Sequence, residues 1–190
     1  MITDIWAEPR TKASNAKERL RRSYRPRRVR ILFVGEGPPA SGRFFYRADS
    51  GLYRAIRDAF VQVFPAIRNE TFLESFQELG CYLVDLCGRP VDRLGDRARR
   101  RARIAGEPQL SRTLRQLQPA LVITVAKSIT QNVERAETLA NWSGVRVTLP
   151  YPGRWYHHRA IFLKGLVPVV RKLGPPAKPG PVHHRNTILT

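Results

Sequence analysis

Four short apolar runs constrain the fold of this chain more than any other feature. Val29–Val34 (VRILFV) ends at Gly35, Tyr82–Leu86 precedes Cys87, Ala120–Ala126 reads ALVITVA, and Val145–Leu149 runs into Pro150. As a set they are apolar rather than alternating, most clearly at Ala120–Ala126, as expected for strands buried on both faces. Helix-period segments lie between them. Leu52, Ile56, Ala59, Phe60 and Val63 share one face of a helix capped by Asp49 or Ser50 and running to about Phe64. Thr71 and Glu74 have capping-box spacing for a short helix to about Leu79. Residues 88–107 read as a long Arg-rich connection, and Leu110, Leu114 and Leu117 then mark an amphipathic helix ending before Pro119. Ser128–Ala140 and Ala160–Leu173 complete the set, with a kink expected at Pro168. Strands alternating with helices predict an α/β fold with a parallel sheet covered on both faces.

In such sheets ligands bind at the carboxyl ends of the strands. Three loops leave those ends here: Gly35–Tyr46, Leu86–Arg103 and Pro150–His158. The charge of the chain says what kind of ligand to expect. Its 190 residues carry 34 Lys and Arg against 15 Asp and Glu, a net charge of +19, and the basic residues are mostly arginine. The guanidinium fork binds phosphate bidentately, so a polyanion is the expected partner. Residues 1–28 form a basic arm, 29–173 the folded domain, and 174–190 a Pro/Gly-rich tail expected to be flexible. No apolar run approaches the ~18–20 residues of a membrane span, and the first residues lack a secretory apolar segment. Cys81 and Cys87 cannot build a disulfide framework or ligate a cluster, and read as small buried apolar residues. A monomer in a reducing, cytoplasmic compartment is expected, nucleoid-associated if bacterial, with no cofactor. The pairs His157-His158 and His183-His184 lack acidic or thiol partners at metal-site spacing, so no metal is expected.

The loop after the first strand is the most informative segment: Gly35-Glu36-Gly37-Pro38-Pro39-Ala40-Ser41-Gly42-Arg43-Phe44-Phe45-Tyr46. A carboxylate follows a buried strand inside a loop where glycine permits close backbone approach and proline adds stiffness. Three aromatic residues come next, and a carboxylate beside an aromatic stack suits a flat heterocycle. The segment is not a dinucleotide fingerprint, because an acid and paired prolines stand where that motif needs other residues.

These motifs resemble the uracil-DNA glycosylase superfamily. Gly35-Glu36-Gly37-Pro38-Pro39 is similar to its motif A, of the type G-E-A-P-G, and Gly42-Arg43-Phe44-Phe45 to its G-R-P-F. Tyr82–Pro90 (YLVDLCGRP) resembles the family's middle strand, Pro119–Val125 a later one, and Tyr151-Pro152-Gly153 a degenerate motif B. The resemblance implies a three-layer α/β/α sandwich with a four-stranded parallel sheet. It implies DNA as partner and hydrolysis of the N-glycosidic bond of a deaminated or modified base flipped from the stack. Glu36 would orient water and face the sugar cation. Gly35, Gly37 and Pro38 would line the base, Phe45 would stack on it, and Asp85 would read its edge. Tyr151, or His157 or His158 on the same loop, would assist the leaving base. Arg43, Arg99, Arg100, Arg101, Arg103, Arg154 and Trp155 would contact DNA.

The chain departs from the family pattern at three places. Asp85 stands where the family has a base-reading Asn, and an ionised Asp can only accept hydrogen bonds. Tyr151 replaces the motif-B histidine. Ala105 stands where one covalent branch has its nucleophilic His, so no covalent DNA adduct is expected. The iron–sulfur cysteines of the thermophile branch are missing. The Tyr151 and Asp85 departures favour an alternative: a catalytically weak or inactive member that binds nucleic acid.

Overall fold

The computed structural model describes residues 12–153 and 156–175. In chain order the elements are α1 (Lys12–Ser23), β1 (Ile31–Gly35), a 3-10 turn (Phe45–Arg47), α2 (Gly51–Val63), α3 (Phe72–Glu78) and β2 (Cys81–Asp85). They continue with α4 (Asp96–Leu117), β3 (Leu121–Val125), a second 3-10 turn (Lys127–Ile129), α5 (Thr130–Ala140), β4 (Val145–Leu149) and α6 (Tyr156–Arg171). The four strands form one sheet in the order β2-β1-β3-β4, and every pairing is parallel. The expected three-layer α/β/α sandwich is therefore what forms.

Right-handed crossovers explain the layers. The step from β1 to β2 runs one way along the sheet and the steps to β3 and β4 run the other, so their helices fall on opposite faces. Accordingly α4 packs with α5, and α2 packs with α6. Leu32, Phe33 and Val34 of β1 are fully buried, as are Val122 and Ile123 of β3. Burying each such side chain contributes roughly 1.5–3 kcal/mol. Cys81 and Cys87 are buried free thiols. The outer edge of β2 is sealed by Tyr46, whose hydroxyl donates to the Leu83 carbonyl (3.0 Å) and accepts from the Leu83 amide (2.8 Å). An open strand edge is thereby satisfied by a side chain.

Several boundaries differ from the sequence reading. The Arg-rich segment before Leu110 is helix: α4 starts at Asp96 and continues through Pro108. Gly106 makes this possible, because a Cβ there would lie 2.9 Å from the Leu86 carbonyl carbon. Only glycine lets α4 pass so close to the chain leaving β2. Ser50 caps α2, accepting from the Tyr53 amide (3.1 Å), whereas Thr71 precedes α3 without a side-chain capping bond. The last helix begins at Tyr156, so His157 and His158 sit in its first turn rather than on the loop. Part of the basic arm is folded: α1 lies against the domain, with Leu20 and Tyr24 packed on the core. Tyr24 stacks on Tyr46 at 5.7 Å, and Gln77 of α3 donates to the Ser23 and Arg25 carbonyls. The rest of the arm (1–11) and the tail from residue 176, with its His183-His184 pair, lie outside the described residues.

Candidate active site

The topology reverses between β1 and β3, the place in a parallel sheet where ligands bind at the carboxyl ends of the strands. All four strands deliver residues to that edge. Glu36 follows β1, Asp85 ends β2, Ser128 follows β3, and Tyr151 follows β4.

Glu36 is held by two arginines one helical turn apart on α4. Arg99 donates to it from Nε (2.6 Å) and from Nη2, and Arg103 donates from Nε (2.7 Å) with its Nη2 ion-paired to the same carboxylate at 2.6 Å. Arg103 also donates to Ser128, at its carbonyl (3.2 Å) and its hydroxyl (3.4 Å), so it bridges the loops after β1 and β3. Burial works to raise the Glu36 carboxyl, but the hydrogen bonds and charges of Arg99 and Arg103 outweigh it and hold the pKa below the ordinary value. Glu36 is therefore an ionised acceptor of fixed orientation.

Asp85 is adjacent and differently treated. It pairs in register with Gly35, and its Oδ1 lies 3.0 Å from where a Gly35 Cβ would stand. Any larger residue at 35 would push this carboxylate away. Burial pushes the Asp85 carboxyl up to about 6, against the opposing charges of Arg21 and Lys17 on α1, while Glu18 reinforces the rise. No side-chain hydrogen bond to Asp85 is present among the described residues.

The loop between them is pinned by a residue that sequence reasoning missed. Asp92 accepts from the Ala40 amide with both oxygens, at 3.1 and 3.2 Å. Its only sequence signal was an acid, one of three with Asp96 and Glu107, in a mainly basic connection. The Cys87 amide donates to the Glu36 carbonyl (2.8 Å), and a Cβ on Gly37 would meet the Arg89 carbonyl at 3.1 Å. The loops after β1 and β2 thus pack as one layer. Pro38 is half-buried within it.

Tyr151 is more than half exposed. Burial around its hydroxyl raises the pKa, and the negative charges of Asp92, Asp85 and Glu36 add to that. His157 is exposed and its ring packs on His158 at 4.1 Å, and no hydrogen bond links it to Glu36 or Asp85 among the described residues.

The aromatic expectation needs correction. Phe45 is only 4% exposed and lies in the core, met by Tyr46 (5.1 Å), Tyr53 (5.7 Å) and Phe76 (5.3 Å). It is not an open stacking platform, because its neighbours already cover it. The basic residues also divide. Arg43, Arg100 and Arg101 are exposed, whereas Arg99 and Arg103 turn inward to Glu36. Arg154 and Trp155 lie outside the described residues.

The fold, the loop carrying Glu36 and the strand ending in Asp85 agree with one family. The sequence model of the uracil DNA glycosylase superfamily matches residues 22–172, and the chain belongs to that superfamily. No curated protein matches it closely enough to narrow the assignment. The domain therefore has a glycosylase-like fold, and DNA is the polymer on which its family acts.

Proposed function

We propose that this protein is a DNA glycosylase of base excision repair. It would act as a cytoplasmic monomer, hydrolysing the N-glycosidic bond of a deaminated or modified base flipped out of DNA. The observation that carries the reading is the juxtaposition of Glu36 and Asp85 at the ends of adjacent parallel strands, with Gly35 leaving room between them.

The chemistry fits those positions. Cleavage builds positive charge on the sugar while the base leaves as an anion, and fixed groups that stabilise both charges lower the barrier. Ionised Glu36 faces the sugar and orients water. Arg99 and Arg103 keep it ionised and make the surroundings favourable to anionic groups. Asp85 reads the base edge: as a carboxylate it accepts N–H groups, and near its pKa of about 6 a protonated fraction can also donate. The Tyr151 hydroxyl donates to the leaving base in place of the family's histidine. Exposed Arg43, Arg100 and Arg101 contact phosphates.

The test is direct. The full chain is incubated with oligonucleotides carrying uracil, hypoxanthine or xanthine, and alkali then reveals abasic sites. Strand scission at one of these bases is expected, without a covalent protein–DNA adduct because residue 105 is alanine. One observation favours a second reading. The pairing of Glu36 with two arginines suits a binding protein in which that carboxylate is purely structural. No product on any substrate, with tight salt-sensitive binding, would establish the binding-only alternative.

A further inference from the structure

Arg99 and Arg103 belong to one basic run and are indistinguishable there as phosphate contacts. Their environments differ. Arg103 has Nε, Nη1 and Nη2 all engaged, two of them on Glu36 and two shared with Ser128, and its side chain is 18% exposed. Among the described residues the Arg99 side chain bonds Glu36 alone, through Nε and Nη2, and it is 32% exposed. Arg99 also sits in the first turn of α4, next to exposed Arg97, Arg100 and Arg101. Removing Arg99 from Glu36 leaves the carboxylate held by Arg103. Removing Arg103 breaks the link between the loops after β1 and β3.

We infer that the two arginines divide the work: Arg103 is a positioning residue that fixes the Glu36 carboxylate, and Arg99 is the exchangeable partner that a DNA phosphate draws away from it. This assignment rests on the glycosylase reading of Glu36. A phosphate arriving at the start of α4 offers Arg99 a bidentate acceptor of the same charge as the carboxylate, but one it need not share with Arg103. The exchange takes one cation from Glu36 when DNA is bound and leaves its orientation unchanged. Catalytic strength at the carboxylate is then coupled to occupancy by substrate. Arg103, with Nε, Nη1 and Nη2 all turned to Glu36 and Ser128, cannot offer a phosphate its bidentate fork without releasing both loops.

The experiment compares R99Q, R103Q and R103K in the full chain, with melting curves to confirm folding. Three quantities are read: the salt dependence of affinity for a plain duplex, the Glu36 carboxyl titration by carbon-13 NMR, and the pH profile of cleavage on whichever base the wild type excises. R99Q should lower the slope of log affinity against log salt by about one counterion. R103Q should leave that slope unchanged, raise the Glu36 carboxyl pKa in the free protein, and move the acid limb of cleavage upward. R103K, which keeps the charge, should restore most of the carboxyl titration but not the full rate. Equal loss of salt slope in R99Q and R103Q would overturn the division, as would a Glu36 titration that R103Q leaves unmoved. Failure of the glycosylase reading looks different: the wild type cleaves none of the bases, while the binding and NMR comparisons still decide between the two arginines.

Discussion

Glu36 and Asp85 stand at the ends of neighbouring strands, and the fold treats them in opposite ways. Glu36 is half-buried but takes four guanidinium contacts, so its charge is compensated and its carboxyl pKa lies low. Asp85 lies against bare backbone at Gly35 with cations only at a distance, so its carboxyl is pushed up to about 6. Sequence makes them look alike, each an acid closing an apolar run. The difference comes from what crosses over the sheet: α4 brings arginines to one, and α1 brings a more remote basic face to the other. Two carboxyls whose environments drive their pKa values apart are a recurring basis for assigning separate roles in one site. Here the split gives a permanent anion beside a titratable group, which the proposed function assigns to the sugar and the base respectively.

The largest effect should come from removing the permanent anion. E36Q keeps the size of the side chain and deletes its charge, so cleavage should fall by about 100-fold or more, within the range for a positioned catalytic group. DNA affinity should hold or rise, because Arg99 and Arg103 lose their internal partner. Single-turnover rates and filter binding measure the two separately, and a parallel loss of both would remove Glu36 from the chemistry. The same substitution flattens acid unfolding. A lowered carboxyl contributes stability that is present above the unfolded value near 4.5 and lost as pH falls through the folded pKa. The wild type should lose that increment below pH 4.5 and E36Q should not.

Asp85 predicts the opposite sign. Its folded pKa is raised from 3.8 to about 6, so the unfolded chain ionises first and the wild type loses stability as pH rises between those values. D85N cannot ionise. It should be more stable than the wild type at pH 7 by at most about 2–3 kcal/mol at 1.36 kcal/mol per unit, a ceiling because the side chain is partly exposed. The advantage should vanish below about pH 4. Urea melts at pH 4, 5, 6 and 7 trace this, and a gain in D85N that does not vary with pH would show that packing, not charge, sets the environment of Asp85.

How much of this was legible beforehand follows the same division. The strands could be read because burial on both faces leaves a largely apolar run, as at Leu32–Val34 and, with Thr124 the one polar residue, Val122–Val125. The first turns of α4 could not, because Arg97–Arg103 shows no apolar periodicity and Gly106 and Pro108 look like loop signals. Gly106 instead marks close contact with Leu86, a tertiary fact. Glu36, Gly35 and Asp85 were legible because local residues and strand ends specify them. That Arg99 and Arg103 serve Glu36 was not, since the partners lie 63 and 67 positions apart and meet only through the fold. Phe45 was misjudged for a similar reason. A run of three aromatics after a loop suits a platform or a core equally well, and Tyr53 and Phe76 decide for the core.

The smallest expected effect tests how the Glu36 side of the comparison is built. Ala126, directly after β3, has φ 138° and ψ 124°, a conformation that L side chains rarely adopt. Its amide bonds the Leu149 carbonyl at 3.1 Å, which holds the turn to β4. The abrupt change of direction there leads into the turn whose Ser128 accepts from Arg103. Backbone strain of this kind costs about 1–3 kcal/mol. Glycine would relieve it but loses about 0.5–1 kcal/mol through added freedom in the unfolded chain. A126G should therefore raise stability by about 1 kcal/mol in urea melts, the difference between those two terms. Its effect on cleavage separates two causes of the strain. If the turn exists to present Ser128, the glycine variant keeps the Arg103 contact and the wild-type acid limb, because relief leaves the geometry in place. If the strain itself pulls Arg103 onto Glu36, relief lets the bridge loosen and the acid limb moves upward, as it should in R103Q.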